Sequence, residues 1–200
     1  MGKARSILNG SVQPREESLS QYQAFSDHVE VWGASILGCI HGMTKAGLPV
    51  QEALDLLAAK GIPRVEPEAW YAQQPYLDMF RNLEARYGEG VLRAMAQQVP
   101  DTSKFPPGIH TLEQALQGLD IAYQLNHRGG AIGRYACVPL GNRTLEMVCD
   151  NPYGCPFDLG ILDALVEAFK PAGSQPSIAH RPGAPCRRQS GTSCRYLISW

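Results

Sequence analysis

The sequence has no apolar run approaching the roughly 20 residues that a membrane-crossing helix needs, so no membrane partner is expected. Its opening stretch, MGKARSILNGSVQPREESLSQ, lacks the continuous apolar core of a signal peptide, and the cytoplasm is the expected compartment. An excess of one charge is also missing: 18 Lys and Arg face 19 Asp and Glu, for a formal net charge of -1. That balance gives no electrostatic reason to expect nucleic acid as a partner. Signatures of common chemistries are absent too. The stretch NHRGGAIGRY holds glycines but neither GxGxxG nor GxxxxGK, and no buried parallel strand precedes it, which argues against dinucleotide or P-loop binding. No HExxH, nucleophile elbow or triad pattern is present, so whether the chain is an enzyme stays open.

What is there suffices for one substantial core. The chain has 200 residues, of which 44% are hydrophobic and 18% charged. Residues 1–20 read as a polar, flexible arm and 21–66 as an N-terminal helical region. Residues 67–200 read as an α+β domain. Apolar spacing predicts a helix within 21–46. GLPVQEALDLLAAKGIP predicts another, opened by Pro49, with Leu54, Leu57 and Ala58 on its face and Gly61 ending it. PEAWYAQQPYLDMFRNLEARYG and GEGVLRAMAQQV continue the helical texture. In TLEQALQGLDIAYQLNHR, Thr111 and Gln114 make a capping-box pattern, and Leu112, Ala115, Leu116, Leu119 and Tyr123 form the face to be buried. From residue 129 the period shortens. IGRYACV and TLEMVCD read as strands joined by a turn at Gly141-Asn142. DLGILDALVEAFKP predicts a helix capped by Asp158, and SIAHR and CRYLISW predict two more strands. The expected class is therefore α+β, an antiparallel sheet packed against helices, with an N-terminal helical extension.

Cysteine is the residue type that most invites chemistry. There are six, at 39, 137, 149, 155, 186 and 194. With no signal peptide a disulfide framework is not expected, and the four between 149 and 194 suggest metal or reactive thiols. Cys39 and Cys137 read as core filling. Zinc takes four soft or borderline ligands in a tetrahedron, and Cys155, His180, Cys186 and Cys194 would supply them, with Cys149 as the rival of His180. Two other chemistries stay open. A Cys155 thiolate beside His180 could act as a nucleophile. Convergence of all four late cysteines would favour an iron–sulfur cluster.

The helices followed by GGAIGRY, a hairpin, DLGILDALVEAF and the ending GAPCRRQSGTSCRYLISW resemble the vinyl-reductase-like small-molecule-binding family. That family is related to haem nitric-oxide-binding sensors and occurs in sensory domains of aromatic-responsive regulators. Its zinc-bearing members close with a Cys, seven residues and a Cys, which Cys186 and Cys194 match. A family glutamate falls near Cys155 here, and another family cysteine falls near His180. The resemblance thus implies one structural zinc per chain on three cysteines and a histidine. It also implies a cytoplasmic sensory or accessory protein that binds a small apolar or aromatic molecule. Tyr123, His127, Tyr135 and Phe157 are the expected lining residues. A homodimer and an output protein are the expected partners, and a haem or iron–sulfur protein is the alternative. The CPF segment and the ending are also similar to the L-2-amino-thiazoline-carboxylic acid hydrolase group. That likeness keeps open a hydrolase acting on a small cyclic substrate through Cys155 or a metal-bound water.

Overall fold

The computed structural model describes residues 21–189 and 191–200. The arm expected over residues 1–20 lies outside the described residues. The described chain is α+β, with antiparallel sheets packed on helices.

Residues 21–29 form turns rather than the start of a helix, and Glu30–Trp32 is a short strand, β1. Helix α1 begins only after it, at Gly33–Lys45. The difference is tertiary in origin. The backbone of β1 pairs antiparallel with β2 (Trp70–Ala72) on one side and β3 (His127–Arg128) on the other, and these partners lie far off in sequence. Helix α2 (Val50–Ala58) follows Pro49 and buries Ala53 and Leu57 completely. Helix α3 (Gln73–Tyr87) leaves β2 directly, and α4 (Glu89–Ala96) follows at Gly88, whose φ of 76° closes α3 without strain. A single turn, α5 (Val99–Thr102), leads on to α6 (Leu112–Leu125). The capping box of α6 forms as its sequence predicts: Gln114 N donates to Thr111 Oγ1, and Thr111 N to Gln114 Oε1, each at 3.2 Å.

The second sheet holds β4 (Arg134–Gly141), β5 (Thr144–Asp150), β6 (Ser177–His180) and β7 (Cys194–Ser199) in the order β4-β5-β7-β6, all antiparallel. The hairpin between β4 and β5 turns on Asn142 and Arg143, with φ of 50° and 53°, one residue later than expected. The shift follows from an irregularity between Pro139 and Gly141 that moves the register. Helix α7 (Cys155–Phe169) crosses between β5 and β6 and packs against α4 and α6. It meets α4 at Gly160, where an added Cβ would stand 2.6 Å from both Ala96 Cβ and Arg93 O. Strand β7 alternates strictly, with Cys194, Tyr196 and Ile198 fully buried. A continuous core runs from Tyr22 to Ile198. No described helix is long and apolar enough to cross a membrane.

Candidate metal centre and ligand cavity

Three elements bring sulfurs together. Cys155 opens α7, Cys186 precedes a short 3-10 turn at Arg187–Gln189, and Cys194 opens β7. Helix α7 starts where it does because Pro156 occupies its first turn, where no backbone N–H is missed. The preceding Gly154 leaves room for Tyr22, whose hydroxyl would lie 2.2 Å from any Cβ there. Cys155 Sγ stands 2.9 Å from Cys194 Sγ and 3.5 Å from Cys186 Sγ, and Cys186 and Cys194 are 3.8 Å apart. Two sulfurs bound at about 2.3 Å to one tetrahedral ion lie about 3.8 Å apart. Two of the three spacings are thus close to metal-bound values, and an ion would open the third by about 0.9 Å. Among the described residues these three cysteines form the group able to hold an ion.

Two further expected ligands stand outside that group. His180 sits on edge strand β6 opposite Tyr196, its ring 4.9 Å from the Tyr196 ring. Its Nε2 is buried with no hydrogen-bond partner among the described residues. Cys149 lies opposite Cys194 in the β5–β7 ladder and is fully buried. Burial, with the Asp158 carboxyl nearby, pushes its thiol well up, so it stays protonated.

The trio has a polar environment that the spacing of the cysteines does not reveal. Gln21 Nε2 donates to Cys155 Sγ at 2.7 Å. Arg187 is completely buried, and its N and Nε donate to Cys194 Sγ at 3.4 Å each. Its Nη1 donates to the Asn151 carbonyl and to Asn151 Oδ1, and its Nη2 pairs with Asp158 Oδ2. Asp158 Oδ1 accepts from Tyr135 Oη at 2.7 Å and Asn151 Nδ2 at 3.1 Å. Asp158 is therefore not the helix cap its position suggests. Gly154 takes that place, and Asp158 turns inward to neutralise a buried guanidinium. Burial raises the Asp158 carboxyl, while Arg187 and the Tyr135 hydroxyl pull it back. Cys194 is drawn down by the hydrogen bond from Cys155 and by the Arg187 charge, and Cys155 is pushed up by the same bond.

Beyond Asp158 lies a cavity of about 50 Å³ lined almost wholly by apolar atoms. Tyr123, His127, Tyr135 and Phe157 all line it, joined by Tyr76 and Tyr153. The rings pack edge-on or tilted, with Tyr123–Tyr135 centroids 5.2 Å apart and Tyr153–Phe157 also 5.2 Å. His127 engages both ring nitrogens, Nδ1 with the Tyr123 carbonyl at 2.8 Å and Nε2 with Tyr153 Oη at 2.7 Å. Burial pulls its pKa down to about 4, so the imidazole is neutral at physiological pH. Gln73 is fully buried beside this end of the cavity. Its Nε2 donates to Tyr153 Oη at 3.3 Å, and its Oε1 has no partner among the described residues. Tyr153, Gln73 and Arg187 carry no local signal of their role. Only the adjacency of Arg187 to Cys186 could have drawn attention to it.

No family model matches the chain, and no curated protein matches it. Solved structures do. A variant of Tt H-NOX superposes with a TM-score of 0.61 at 16% identity over 84% of this chain and 94% of that one. An H-NOX protein from S. oneidensis in the Fe(II)NO ligation state gives 0.59 at 15% over 83% and 97%. A Cs H-NOX mutant gives 0.60 at 14% over 84% and 95%. The fold is therefore that of H-NOX (haem nitric-oxide-binding) domains, and the expected relation to such sensors holds at the level of fold.

Proposed function

We propose that this chain is a sensory domain that binds a small apolar or aromatic molecule in the core cavity and carries a thiolate metal centre. One observation carries the reading: four ring residues from four elements, Tyr123 of α6, His127 of β3, Tyr135 of β4 and Phe157 of α7, line one apolar cavity. The space is about a third of the roughly 150 Å³ that holds benzene in an engineered core, so a ring-sized molecule enters as the lining rings yield. Zinc is the proposed metal, held by Cys155, Cys186 and Cys194 and tying β7 to the start of α7. Three sulfurs would leave one tetrahedral position for a further donor, and the Gln21 amide donates to one of the three, Cys155 Sγ. The Cys186–Cys194 pair supports the finer kinship with vinyl-reductase-like domains. A homodimer, an output partner and a cytoplasmic location belong to the same proposal.

The H-NOX neighbours support a second reading, a haem or gas sensor. The core cavity as it stands does not fit a haem. Cofactor-sized ligands occupy clefts of roughly 300–1,000 Å³, and the one histidine lining this cavity has both nitrogens engaged. A surface groove of about 630 Å³ bordered by His110, Arg143 and Lys170 does pair such a volume with a histidine.

Metal content and absorption of the reduced, purified protein separate the readings. One zinc per chain and no visible absorption is the expected result. Cys194→Ser should lose the zinc, and His180→Ala, which stands apart from the trio, should keep it. An intense band near 400 nm on adding haemin, abolished by His110→Ala or His127→Ala, would replace the zinc-sensor reading with the haem one.

A further inference from the structure

We propose that the cavity and the cysteine trio are energetically coupled, through the first turn of α7 and the buried chain Tyr135–Asp158–Arg187. The inference rests on the reading above, that the cavity takes a small molecule and the trio a metal. Two independent features of the geometry carry it.

First, one turn of helix serves both places. Cys155 supplies a sulfur, Phe157 supplies a wall of the cavity, and Asp158 joins the polar chain between them. A helical turn moves as a unit, because its backbone hydrogen bonds and close packing resist independent shifts. Second, a continuous run of hydrogen bonds links a cavity ring to a sulfur. Tyr135 lines the cavity, and its hydroxyl donates to Asp158 Oδ1 at 2.7 Å. Asp158 Oδ2 accepts from Arg187 Nη2, and Arg187 donates twice to Cys194 Sγ at 3.4 Å. Asn151 braces the middle, donating to Asp158 at 3.1 Å and accepting from Arg187 at 2.7 Å. Arg187, Asp158 and Asn151 have no exposed surface, so water neither screens these bonds nor replaces them.

An ion bound by the trio must widen the 2.9 Å gap between Cys155 and Cys194 to about 3.8 Å. That movement draws on the α7 turn and on Arg187 together. A molecule entering the cavity presses on Phe157 and Tyr135, the other ends of the same two connections. Each site therefore senses the other, and linkage requires the effect to be reciprocal.

The test uses the full chain with zinc and phenol as probes. The zinc dissociation constant is measured by competition with a chromogenic chelator, with and without saturating phenol. The phenol dissociation constant is measured by calorimetry on zinc-loaded and zinc-free protein. The expected result is the same factor in both directions, at least about fivefold, the lower end for coupled sites. Tyr135→Phe keeps the ring and the α7 turn but removes the hydroxyl; it should bind both probes with a factor clearly smaller than that of the wild type. A factor of one in the wild-type chain, with both probes bound, overturns the coupling. A wild-type factor that persists undiminished in Tyr135→Phe overturns the hydrogen-bonded route. Failure of wild-type protein to bind zinc, or to bind phenol, overturns the reading of that site and the coupling with it, and the separate titrations show which reading failed. If Tyr135→Phe does not fold, the wild-type factor still decides.

Discussion

Acidification should destabilise this protein through His127 in a window that can be stated in advance. Burial holds the folded-state pKa of His127 at about 4 against an ordinary value of 6.5. As pH falls, the unfolded chain takes up a proton at this residue near 6.5, while the folded chain refuses it until about 4. Between those values the unfolded state binds more protons, so stability drops as pH drops, by about 1.4 kcal/mol per pH unit. The His127 contribution is complete above pH 6.5 and lost at about pH 4, for a total of about 3 kcal/mol. Asp158 acts in the opposite direction, because its raised folded-state pKa favours the folded form as its carboxyl protonates. The residue must therefore be isolated by difference. Urea unfolding of wild type and His127→Gln at pH 7, 6, 5 and 4.5 provides it, since contributions common to both proteins, metal loss included, cancel. The wild type should lose about 2 kcal/mol more than the variant between pH 7 and 5. Parallel pH profiles in the two proteins would refute the reasoning, and with it the neutral, doubly bonded imidazole at the end of the cavity.

Two further outcomes follow from packing and charge. Asp158→Ala removes the carboxylate paired with the fully buried Arg187 guanidinium and should cost about 3–5 kcal/mol in chemical denaturation, since breaking a buried pair leaves an uncompensated charge. Gly160→Ala places a methyl 2.6 Å from Ala96 Cβ and the Arg93 carbonyl, and should cost about 1–3 kcal/mol by forcing α4 and α7 apart, read as a lower urea midpoint.

The parts of the fold legible in the sequence are those whose cause is local. The capping box at Thr111 and Gln114, the apolar face of α6 and the alternation of CRYLISW each contain their own reason, and each forms. The strands of the first sheet do not. EVW and WYA are three residues long and sit at the edges of helical texture, and only their pairing across some 40 residues makes them strands. The three cysteines stood out in the sequence as a candidate site because thiols are uncommon and clustered, but the geometry that brings their sulfurs together was not legible. His180 falls between the cysteine segments in sequence, yet the ladder register sets it opposite Tyr196, two residues beyond Cys194. Asp158 reads locally as a cap, and its partner Arg187 lies 29 residues away. Buried ion pairs of that kind follow no periodicity, so the polar half of the site came from the tertiary structure alone.

Strand β7 is the last strand of its sheet to appear in the chain, yet it lies inside that sheet, between β5 and β6. During synthesis the earlier strands β5 and β6 must therefore wait, each with a side meant for a neighbour that has not yet left the ribosome. A sheet whose interior strand arrives late stays open to mispairing for longer, because unpaired strand sides invite other chains. The same segment delivers Cys194, so sheet closure and assembly of the cysteine trio become one event on the nascent chain. A polypeptide cut short before residue 194 would lose both together.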